Sequence, residues 1–593
     1  MKPESSERIR VISFAVVALF AMLTARLWQL QVLQGEELRE ISSENLLRIE
    51  KVPAPRGIIY DRNGKPLVKN SPYYAVALRQ EMLREADLGA IAGFLGMDPG
   101  EVAERIERRK DPFTPVKLRE GLTFEEVAYY EARLSDYPAL TVEVEETRHY
   151  IYGEVGAHLI GYLGKLNPAQ VGQGDFKDVP RESFIGQWGV EKLFDKTLRG
   201  TPGRRVIEVD ALGRQLRLLE EEKPRKGNDI YLSIDINLQQ AAEAAFGERA
   251  GALVAMKPST GEILGLVSKP SFDPNLFSRG ISYADWVALV EDPRHPMLNR
   301  ALQSQYPPGS TFKIITAAAA LERGAITPAT EQFCSGKIFH GQWSFGCWKK
   351  GGHGRLDLYG ALVESCDIYF YRAGSAVGID AIADFARQFG LGRETGIPLV
   401  AEKTGLVPDR QWKERTRHRP WYLGETYNAA IGQGYVLATP AQMARVAGAV
   451  ANGGYLYRPT LLRAEGQPEP ISRVGISEEN LRFIRRALGG VVSDGRGTGG
   501  AARSRLASIA GKTGTAQVVS EKTRDKSDAS HEDHAWFVAF APLEDAQIAL
   551  SVFVEHGGHG GSAAAPVAKV AIEAHLAPPD VMTAGRAREG ATP

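Results

Sequence analysis

The chain is organised around one stretch, Tyr306-Pro307-Pro308-Gly309-Ser310-Thr311-Phe312-Lys313, which runs into Ile314-Ile315-Thr316 and the alanines 317–320. Two prolines and a glycine oppose a helix upstream, whereas the alanines favour one downstream, so a helix is predicted to begin at Ser310. Lys313 lies one turn later and faces the same side of the helix as Ser310. An amine buried beside a serine can take its proton once burial lowers the amine pKa. Ser-x-x-Lys occurs nowhere else in the chain, although a helix cap followed by a surface lysine would give the same pattern.

Composition indicates the number of domains and the kinds of partner that the chain could have. The 593 residues are 43% hydrophobic and 24% charged, which predicts two or more globular domains. The formal net charge is +0, so no nucleic-acid partner is indicated.

The first segment has the pattern of a membrane anchor. Arg8 and Arg10 precede an apolar run, Val11–Leu23, which continues through Trp28 to Leu33. This pattern predicts a single uncleaved transmembrane helix with a cytoplasmic tail and an exported remainder. A cleaved signal peptide is the alternative, but no small-residue cleavage site is followed by a polar start.

Four regions follow from composition and turn signals: 1–34 as tail and transmembrane anchor, 35–225 as a mixed structural domain, 226–576 as the chemical domain, and 577–593 as a disordered tail. The predicted elements are a strand at Gly57–Tyr60 entering a turn at Asp61–Lys65, helices at Leu83–Gly96, Pro99–Lys110 (capped by Asp98) and Phe124–Arg133, a strand at Leu140–Val144, a strand at Ile230–Ile234, a helix at Ile236–Ala250, and a hairpin of Ala252–Met256 with Ile263–Val267. This order predicts an α/β sandwich with a helical layer.

Ser365-Cys366-Asp367 is the second chemical element, after the helical run Leu358–Glu364. A hydroxyl and a carboxylate two residues apart on a tight turn can point into one cleft and relay a proton to a leaving amine. An ordinary cap or turn would have the same sequence.

The third element is Lys512-Thr513-Gly514-Thr515, within a predicted strand. Glycine there would let a substrate backbone add as an extra strand, while the lysine and threonines would bind a carboxylate. The same tripeptide at Lys403-Thr404-Gly405 has no strand flanks and is rejected as the site.

The only cysteines, Cys334, Cys347 and Cys366, lie near these elements, and His353 falls between the last two. Three thiolates and one imidazole would complete a tetrahedral structural zinc site. A disulfide between two of the cysteines is the alternative in an exported chain. His556 and His559 are interpreted as loop residues rather than ligands.

In this order and wide spacing, the three elements resemble the signature of penicillin-binding proteins and serine β-lactamases. Further stretches resemble class B penicillin-binding proteins: Pro55-Arg56-Gly57, Asp61–Gly64, Gly189–Lys192, Leu198-Arg199-Gly200, Gly432-Gln433-Gly434, Thr439-Pro440 and His534–Phe537. The N-terminal region resembles that of the elongation-type members, and Asp367, where asparagine is more general, fits the same subtype. The resemblance covers nearly the whole chain.

This resemblance implies an α+β protein with a transmembrane helix, an elongated mixed pedestal domain, and a transpeptidase domain built as an antiparallel sheet with helical layers. It implies a serine D-Ala-D-Ala transpeptidase/carboxypeptidase of the bacterial inner membrane, with its catalytic domain in the periplasm. Such an enzyme crosslinks stem peptides ending in D-Ala-D-Ala during cell-wall elongation, maintains cell shape, and is trapped by β-lactams.

The resemblance also implies roles for the residues of the three elements. Ser310 would be the nucleophile and Lys313 its base, and Ser365 and Lys512 would relay a proton, with Asp367 beside them. The substrate would be bound by Thr513, Gly514 and Thr515. The implied oxyanion hole is formed by the N–H groups of Ser310 and Thr515.

The implied partners are a SEDS glycosyltransferase of the RodA kind and MreC. No cofactor is needed for the acyl transfer. Three other interpretations stay open from sequence: a division-type member, a serine β-lactamase or penicillin sensor, and a non-catalytic activator of a membrane glycosyltransferase.

Overall fold

The computed structural model describes residues 3–34, 47–79, 82–83, 87–108, 115–172, 174–177, 179, 183–209, 215–518 and 531–577. Among these residues the α-helices span Pro3–Trp28, Leu88–Leu95, Pro99–Glu107, Phe124–Glu131, Ala157–Ile160, Gly189–Leu193, Asp195–Arg199, Ile236–Phe246, Tyr283–Glu291, Arg300–Gln303, Lys313–Glu322, Leu358–Val363, Asp367–Val377, Ile379–Gln388, Arg410–Arg417, Leu423–Ala430, Pro440–Ala451, Glu478–Ser493 and Gly560–Leu576. The strands span Leu47–Val52, Ile59–Tyr60, Pro66–Leu78, Val116–Glu120, Leu140–Tyr150, Leu163–Lys165, Phe184–Gly186, Gly203–Val209, Gln215–Glu222, Ile230–Tyr231, Gly251–Met256, Ile263–Lys269, Gln332–Cys334, Lys337–His340, Trp343–Gly346, Gly354–Leu356, Tyr455–Leu456, Ser472–Arg473, Ala510–Ala516, His534–Ala541 and Ile548–Val554.

Within the described part of the chain, one N-terminal helical segment is long and apolar enough to cross a membrane. This segment, Arg10–Leu33, has a mean hydropathy of 2.0 over its most apolar window. Length and composition therefore support the predicted anchor.

The chain forms two compact units that alternate along the sequence. The first contains residues 1–56, 70–147 and 199–227, and the second contains 57–69, 148–198 and 228–593. The domain boundaries drawn from sequence remain predictions. The predicted disordered tail lies, beyond residue 577, outside the described residues.

The first unit has two packed regions. In one, Gly203–Val209 is the middle strand of an antiparallel sheet, between Leu47–Val52 and Gln215–Glu222. In the other, the end of Pro66–Leu78 pairs with Val116–Glu120. Three helices share the core of that second region, which includes Val76, Leu78, Ile91, Leu95, Val102, Leu118, Val127 and Tyr130.

Two helices of this unit begin where the sequence predicts because side chains cap them. Asp98 accepts from the N–H groups of Gly100 and Glu101 at the start of the Pro99–Glu107 helix. Thr123 and Glu126 form a reciprocal capping box ahead of the Phe124–Glu131 helix.

The second unit is built on a five-stranded antiparallel sheet. Its strands lie in the order Ile263–Lys269, Gly251–Met256, Ile548–Val554, His534–Ala541 and Ala510–Ala516. Among the described residues, the last strand has a sheet partner on one side only.

Side chains alternate between the two faces of this sheet, as strand geometry requires. Along His534–Ala541, Phe537 and Ala539 belong to the core shared with the Ile236–Phe246 and Gly560–Leu576 helices. Trp536 and Val538 belong instead to the core that holds the Lys313–Glu322 helix. The predicted α+β fold, with an antiparallel sheet between helical layers, is confirmed.

Most predicted elements are present with shifted ends. The predicted hairpin of Ala252–Met256 and Ile263–Val267 is formed by Gly251–Met256, which begins one residue earlier, and by Ile263–Lys269, which ends two residues later. The helix predicted over Ile236–Ala250 ends at Phe246, because Gly247 leaves the helical conformation with a φ of +56°. The predicted helix at Leu83–Gly96 is Leu88–Leu95 in the described residues.

A buried ion pair lies inside the second unit. Arg148 Nε donates to Glu191 Oε1 at 2.7 Å, and the two side chains are 1% and 0% exposed. Arg148 Nη1 also donates to the Gly57 carbonyl at 2.7 Å. These contacts link Arg148 to two of the stretches that resemble the class B family.

We predict that Arg148→Met lowers the free energy of unfolding by about 3–5 kcal/mol, because the Glu191 carboxyl group loses its guanidinium partner in a dry site. Denaturant unfolding of the purified chain measures the change. Lys196→Met is the matched control, since Lys196 pairs with Asp175 at an exposed position and should cost under about 1 kcal/mol. Equal effects of the two substitutions would contradict the prediction.

Candidate active site

Ser310 lies in a 3-10 turn, Gly309–Phe312, that leads directly into the Lys313–Glu322 helix. The helix predicted to begin at Ser310 is present, but its α-helical part begins three residues later, at Lys313, and Ser310 lies in the 3-10 turn before it. Gly309 has a φ of +55°, and a Cβ atom there would lie 2.5 Å from the Thr515 carbonyl oxygen. Only glycine therefore lets this turn approach the Ala510–Ala516 strand so closely. Ser310 is half-buried, and its hydroxyl makes no hydrogen bond with the described residues.

Lys313 is completely buried at the start of its helix. Its Nζ donates to Asp367 Oδ1 at 2.7 Å, to the Ser365 carbonyl at 2.8 Å and to Ser365 Oγ at 3.3 Å. An ammonium has three N–H groups, and these contacts use all three. In this arrangement Lys313 holds the Ser365 turn in place.

Ser365 and Asp367 come together because two helices meet at a sharp turn. Ser365 follows the Leu358–Val363 helix with a φ of +56°, which is uncommon for a serine, and Asp367 begins the next helix. While Oδ1 of Asp367 accepts from Lys313, its Oδ2 accepts from the Trp348 N–H at 2.9 Å. Both carboxylate oxygens thus face donors. The NH₂ group of an asparagine would instead face one of these two donors and could not accept from it. This gives a physical reason for aspartate at position 367.

Lys512 reaches the same hydroxyl from the sheet. It is completely buried, and its Nζ donates to Ser365 Oγ at 2.8 Å and to the Thr513 carbonyl at 3.2 Å. Burial, and then the nearby charge of Lys313, hold the pKa of Lys512 well below its usual range, although Asp367 opposes them. A neutral amine has two N–H groups, enough for both contacts, and a lone pair that can take a proton.

The predicted substrate-binding residues lie on the same strand, next to the Ser310 turn. A Cβ atom on Gly514 would lie 2.8 Å from the Pro308 carbonyl oxygen, so glycine permits the close packing. Thr513 Oγ1 is 2.7 Å from Thr498 Oγ1. The carbonyl of Thr515 accepts from Gln433 Nε2 at 3.1 Å.

Three contacting residues, Trp348, Thr498 and Gln433, have no role predicted from sequence. Gln433 lies in a stretch that resembles the family, so a signal was present for it. Trp348 and Thr498 belong to no recognisable sequence motif, and the residues that they contact are distant in the sequence. The rejected tripeptide Lys403-Thr404-Gly405 lies in an irregular segment, as predicted.

The cysteines and His353 form a second cluster next to the Ser365 turn. One ligand atom from each of Cys334, Cys347, His353 and Cys366 lies within 4.8 Å of all the others. His353 Nδ1 is 3.5 Å from the sulfur atoms of Cys334 and Cys347. A tetrahedral zinc ion with Zn–S near 2.3 Å and Zn–N near 2.0 Å separates sulfur and nitrogen by about 3.5 Å, so this donor set fits zinc.

All three cysteines are free thiols, so the disulfide alternative is not formed in this structure. The hydrogen bond from Cys366 lowers the pKa of the Cys347 thiol despite burial, and the same contact raises the pKa of Cys366. Metal ions bind the thiolate form, so the lowered pKa favours ligation by Cys347, whereas the raised pKa opposes ligation by Cys366. His556, by contrast, directs Nδ1 at the Glu532 carbonyl, 3.0 Å away.

Comparison with known families gives two matches that together span most of the chain. The family model described as the penicillin binding protein transpeptidase domain matches residues 251–573. The model described as the penicillin-binding protein dimerisation domain matches residues 51–232.

Individual proteins are similar over most of their lengths. The peptidoglycan D,D-transpeptidase MrdA of Acinetobacter baumannii is 38% identical over 572 residues, covering 93% of this chain and 84% of that protein. The solved complex between penicillin-binding protein PBP2 and MreC from Helicobacter pylori contains a chain that is 30% identical, with a TM-score of 0.78, covering 89% of this chain and 98% of that one. A structure described as "Structural coordination of polymerization and crosslinking by a peptidoglycan synthase complex" is 34% identical, with a TM-score of 0.72, covering 96% of this chain and 98% of that one.

We predict that acylation by penicillin slows as pH falls through the lowered pKa of Lys512, because protonation removes the lone pair of the amine that contacts the Ser365 hydroxyl. The midpoint should lie well below that of a free lysine, so the rate is maintained to lower pH than an ordinary lysine would allow. Lys512→Arg, which stays charged throughout, should reduce the rate at neutral pH by about 10²-fold or more.

Stopped-flow acylation rates measured against pH test this prediction, with Lys403→Arg as the control in the rejected tripeptide. A wild-type midpoint near the pKa of a free lysine would contradict it.

Proposed function

Because this chain belongs to the penicillin-binding proteins and is a peptidoglycan D,D-transpeptidase of the elongation type, we propose that Ser310 is the nucleophile of its acyl transfer. The observation that carries this proposal is the sharing of one hydroxyl, Ser365 Oγ, by two buried lysines beside the Ser310 turn. Such a network can move protons in a site that excludes bulk water.

Acylation begins when Ser310 Oγ attacks the carbonyl carbon between the two terminal D-alanines of a stem peptide. The hydroxyl proton passes into the network of Lys313, Ser365 and Lys512, in which the lowered pKa of Lys512 supplies a neutral amine. The N–H groups of Ser310 and Thr515 stabilise the oxyanion that forms.

The C–N bond then breaks, and the departing D-alanine amine takes a proton from Ser365 Oγ, which Lys512 replenishes. An ester between Ser310 and the shortened stem peptide remains. The amine of a neighbouring stem attacks this ester and gives up a proton to the network, and Ser310 recovers its proton as the crosslink forms. A β-lactam enters the first step in the same way and stays bound to Ser310.

The Ala510–Ala516 strand has a sheet partner on one side only among the described residues, which supports a role in holding the substrate. An extended stem peptide can add to it by backbone hydrogen bonds, with Gly514 leaving room for the approach. The hydroxyls of Thr513 and Thr515 would bind the terminal carboxylate, helped by the positive charge that the lysine network holds.

The N-terminal helix supports a single-pass anchor in the inner membrane, with the catalytic domain in the periplasm. A glycosyltransferase of the RodA kind and MreC are the proposed partners. The solved relatives support this, since one is in complex with MreC and another belongs to a peptidoglycan synthase complex.

Structural zinc is proposed for the cluster of Cys334, Cys347, His353 and Cys366. A bound ion would cross-link the segment around Cys334 to the Ser365 turn through Cys366. Its contribution is structural, and no step of the acyl transfer passes through it.

We predict that Ser310→Ala abolishes covalent labelling by a fluorescent penicillin and abolishes crosslinking of glycan strands made by a partner glycosyltransferase. Ser259→Ala is the control, because Ser259 is half-buried like Ser310 but lies in the turn of the Gly251–Lys269 hairpin. Intact mass spectrometry with peptide mapping measures the site of attachment. A penicillin adduct on another residue would refute the assignment of Ser310.

We predict that the purified chain contains about one zinc ion per molecule, measured by elemental mass spectrometry. Cys334→Ser should reduce the zinc content and lower the melting temperature, because the site loses one of four ligands. His340→Gln is the control, since this histidine lies on the neighbouring hairpin outside the cluster. A zinc-free protein with two of its cysteines joined in a disulfide would support the alternative instead.

A further inference from the structure

Trp348 occupies an unusual place between the cysteine cluster and the catalytic turn. It directly follows Cys347, and its ring meets the His353 ring edge-on at 5.5 Å. Although 57% exposed, the residue makes three hydrogen bonds to the turn that carries Ser365 and Asp367. Burial of apolar surface alone therefore does not account for its position.

The three contacts act on separate parts of the turn. The indole Nε1–H donates to the Glu364 and the Ser365 carbonyls, both at 3.1 Å. The backbone N–H of Trp348 donates to Asp367 Oδ2 at 2.9 Å. Lys313 contacts the same Ser365 carbonyl and the other oxygen of Asp367. Trp348 and Lys313 therefore hold the turn together.

This support matters because the turn is strained. Ser365 adopts a φ of +56°, in a region that non-glycine residues occupy only when their surroundings stabilise it. In this conformation its carbonyl contacts Trp348 and Lys313, and its hydroxyl contacts Lys512. A small rotation of the turn would move that hydroxyl away from Lys512.

We propose that Trp348 is a positioning residue for the acyl transfer: its indole N–H keeps Ser365 in the conformation in which the hydroxyl reaches Lys512. This inference rests on the proposed function, because it assumes that Ser365 relays protons during acylation. Trp348 does not need to touch the substrate. Loss of the N–H slows the covalent step and leaves the preceding non-covalent binding intact.

The test is Trp348→Phe in the full-length chain, which removes the indole N–H and keeps an aromatic ring and the backbone donor to Asp367. Acylation rates measured over a range of penicillin concentrations separate the dissociation constant of the first complex from the rate constant of the covalent step. The rate constant should fall about tenfold, and the dissociation constant should change less than about twofold. The zinc content and the melting temperature are measured on the same samples.

The matched control is Trp343→Phe, in the strand just before Trp348, where the tryptophan is 66% exposed and its indole makes no hydrogen bond with the described residues. It should leave both constants unchanged. A second variant replaces Trp348 with 3-benzothienylalanine, which has the shape of tryptophan but carries sulfur in place of N–H, and it should match Trp348→Phe.

An unchanged rate constant in both Trp348 variants would overturn the inference, as would an equal loss in Trp343→Phe. A loss of rate that accompanies loss of zinc or a lowered melting temperature would also overturn it, because the effect would then be general destabilisation. Failure of the proposed function gives a different result, since the wild-type chain itself would not form a penicillin adduct on Ser310.

Discussion

Two lysines without exposed surface meet at one serine hydroxyl, and the candidate active site depends on this arrangement. Removing an ammonium from water costs several kcal/mol unless other groups compensate it. Lys313 is compensated by Asp367 and by the oxygen atoms of Ser365. For Lys512, burial and then the nearby charge of Lys313 lower the pKa instead. Three distant segments must therefore be held within hydrogen-bond distance.

The fold holds these segments by close backbone packing. Gly309 lies against the backbone of Thr515 on the edge strand. On its other flank, Gly309 donates its N–H to the Gly432 carbonyl at 2.9 Å. The turn with Ser310 is thus fixed between the edge strand and the glycine-rich segment at 432–434. A side chain would separate these backbones, which explains the concentration of glycine around the site.

Sequence reasoning predicted what depends on local chemistry. The helix start near Ser310, the turn at Ser365 and the strand at Lys512 follow from neighbouring prolines, glycines and apolar runs, and the family resemblance grouped them into one site. The hydrogen-bond partners of Lys313 could not be predicted, because its acceptors lie 52 and 54 residues away in the chain. The contacts of Trp348 could not be predicted either. They depend on the hairpin that precedes it, and that hairpin has no distinctive pattern in the sequence.

The Ala510–Ala516 strand, with a sheet partner on one side only among the described residues, has a consequence for pairing between molecules. Unpaired strand edges are sites where separate molecules can pair and stack into fibrils. Here the edge belongs to a strand of seven residues that contains two glycines, and a tight turn packs against it. Glycine-containing strands with little side-chain surface are poor fibril seeds. The two glycines that would admit an extended ligand thus also make this strand a poor template for pairing between molecules.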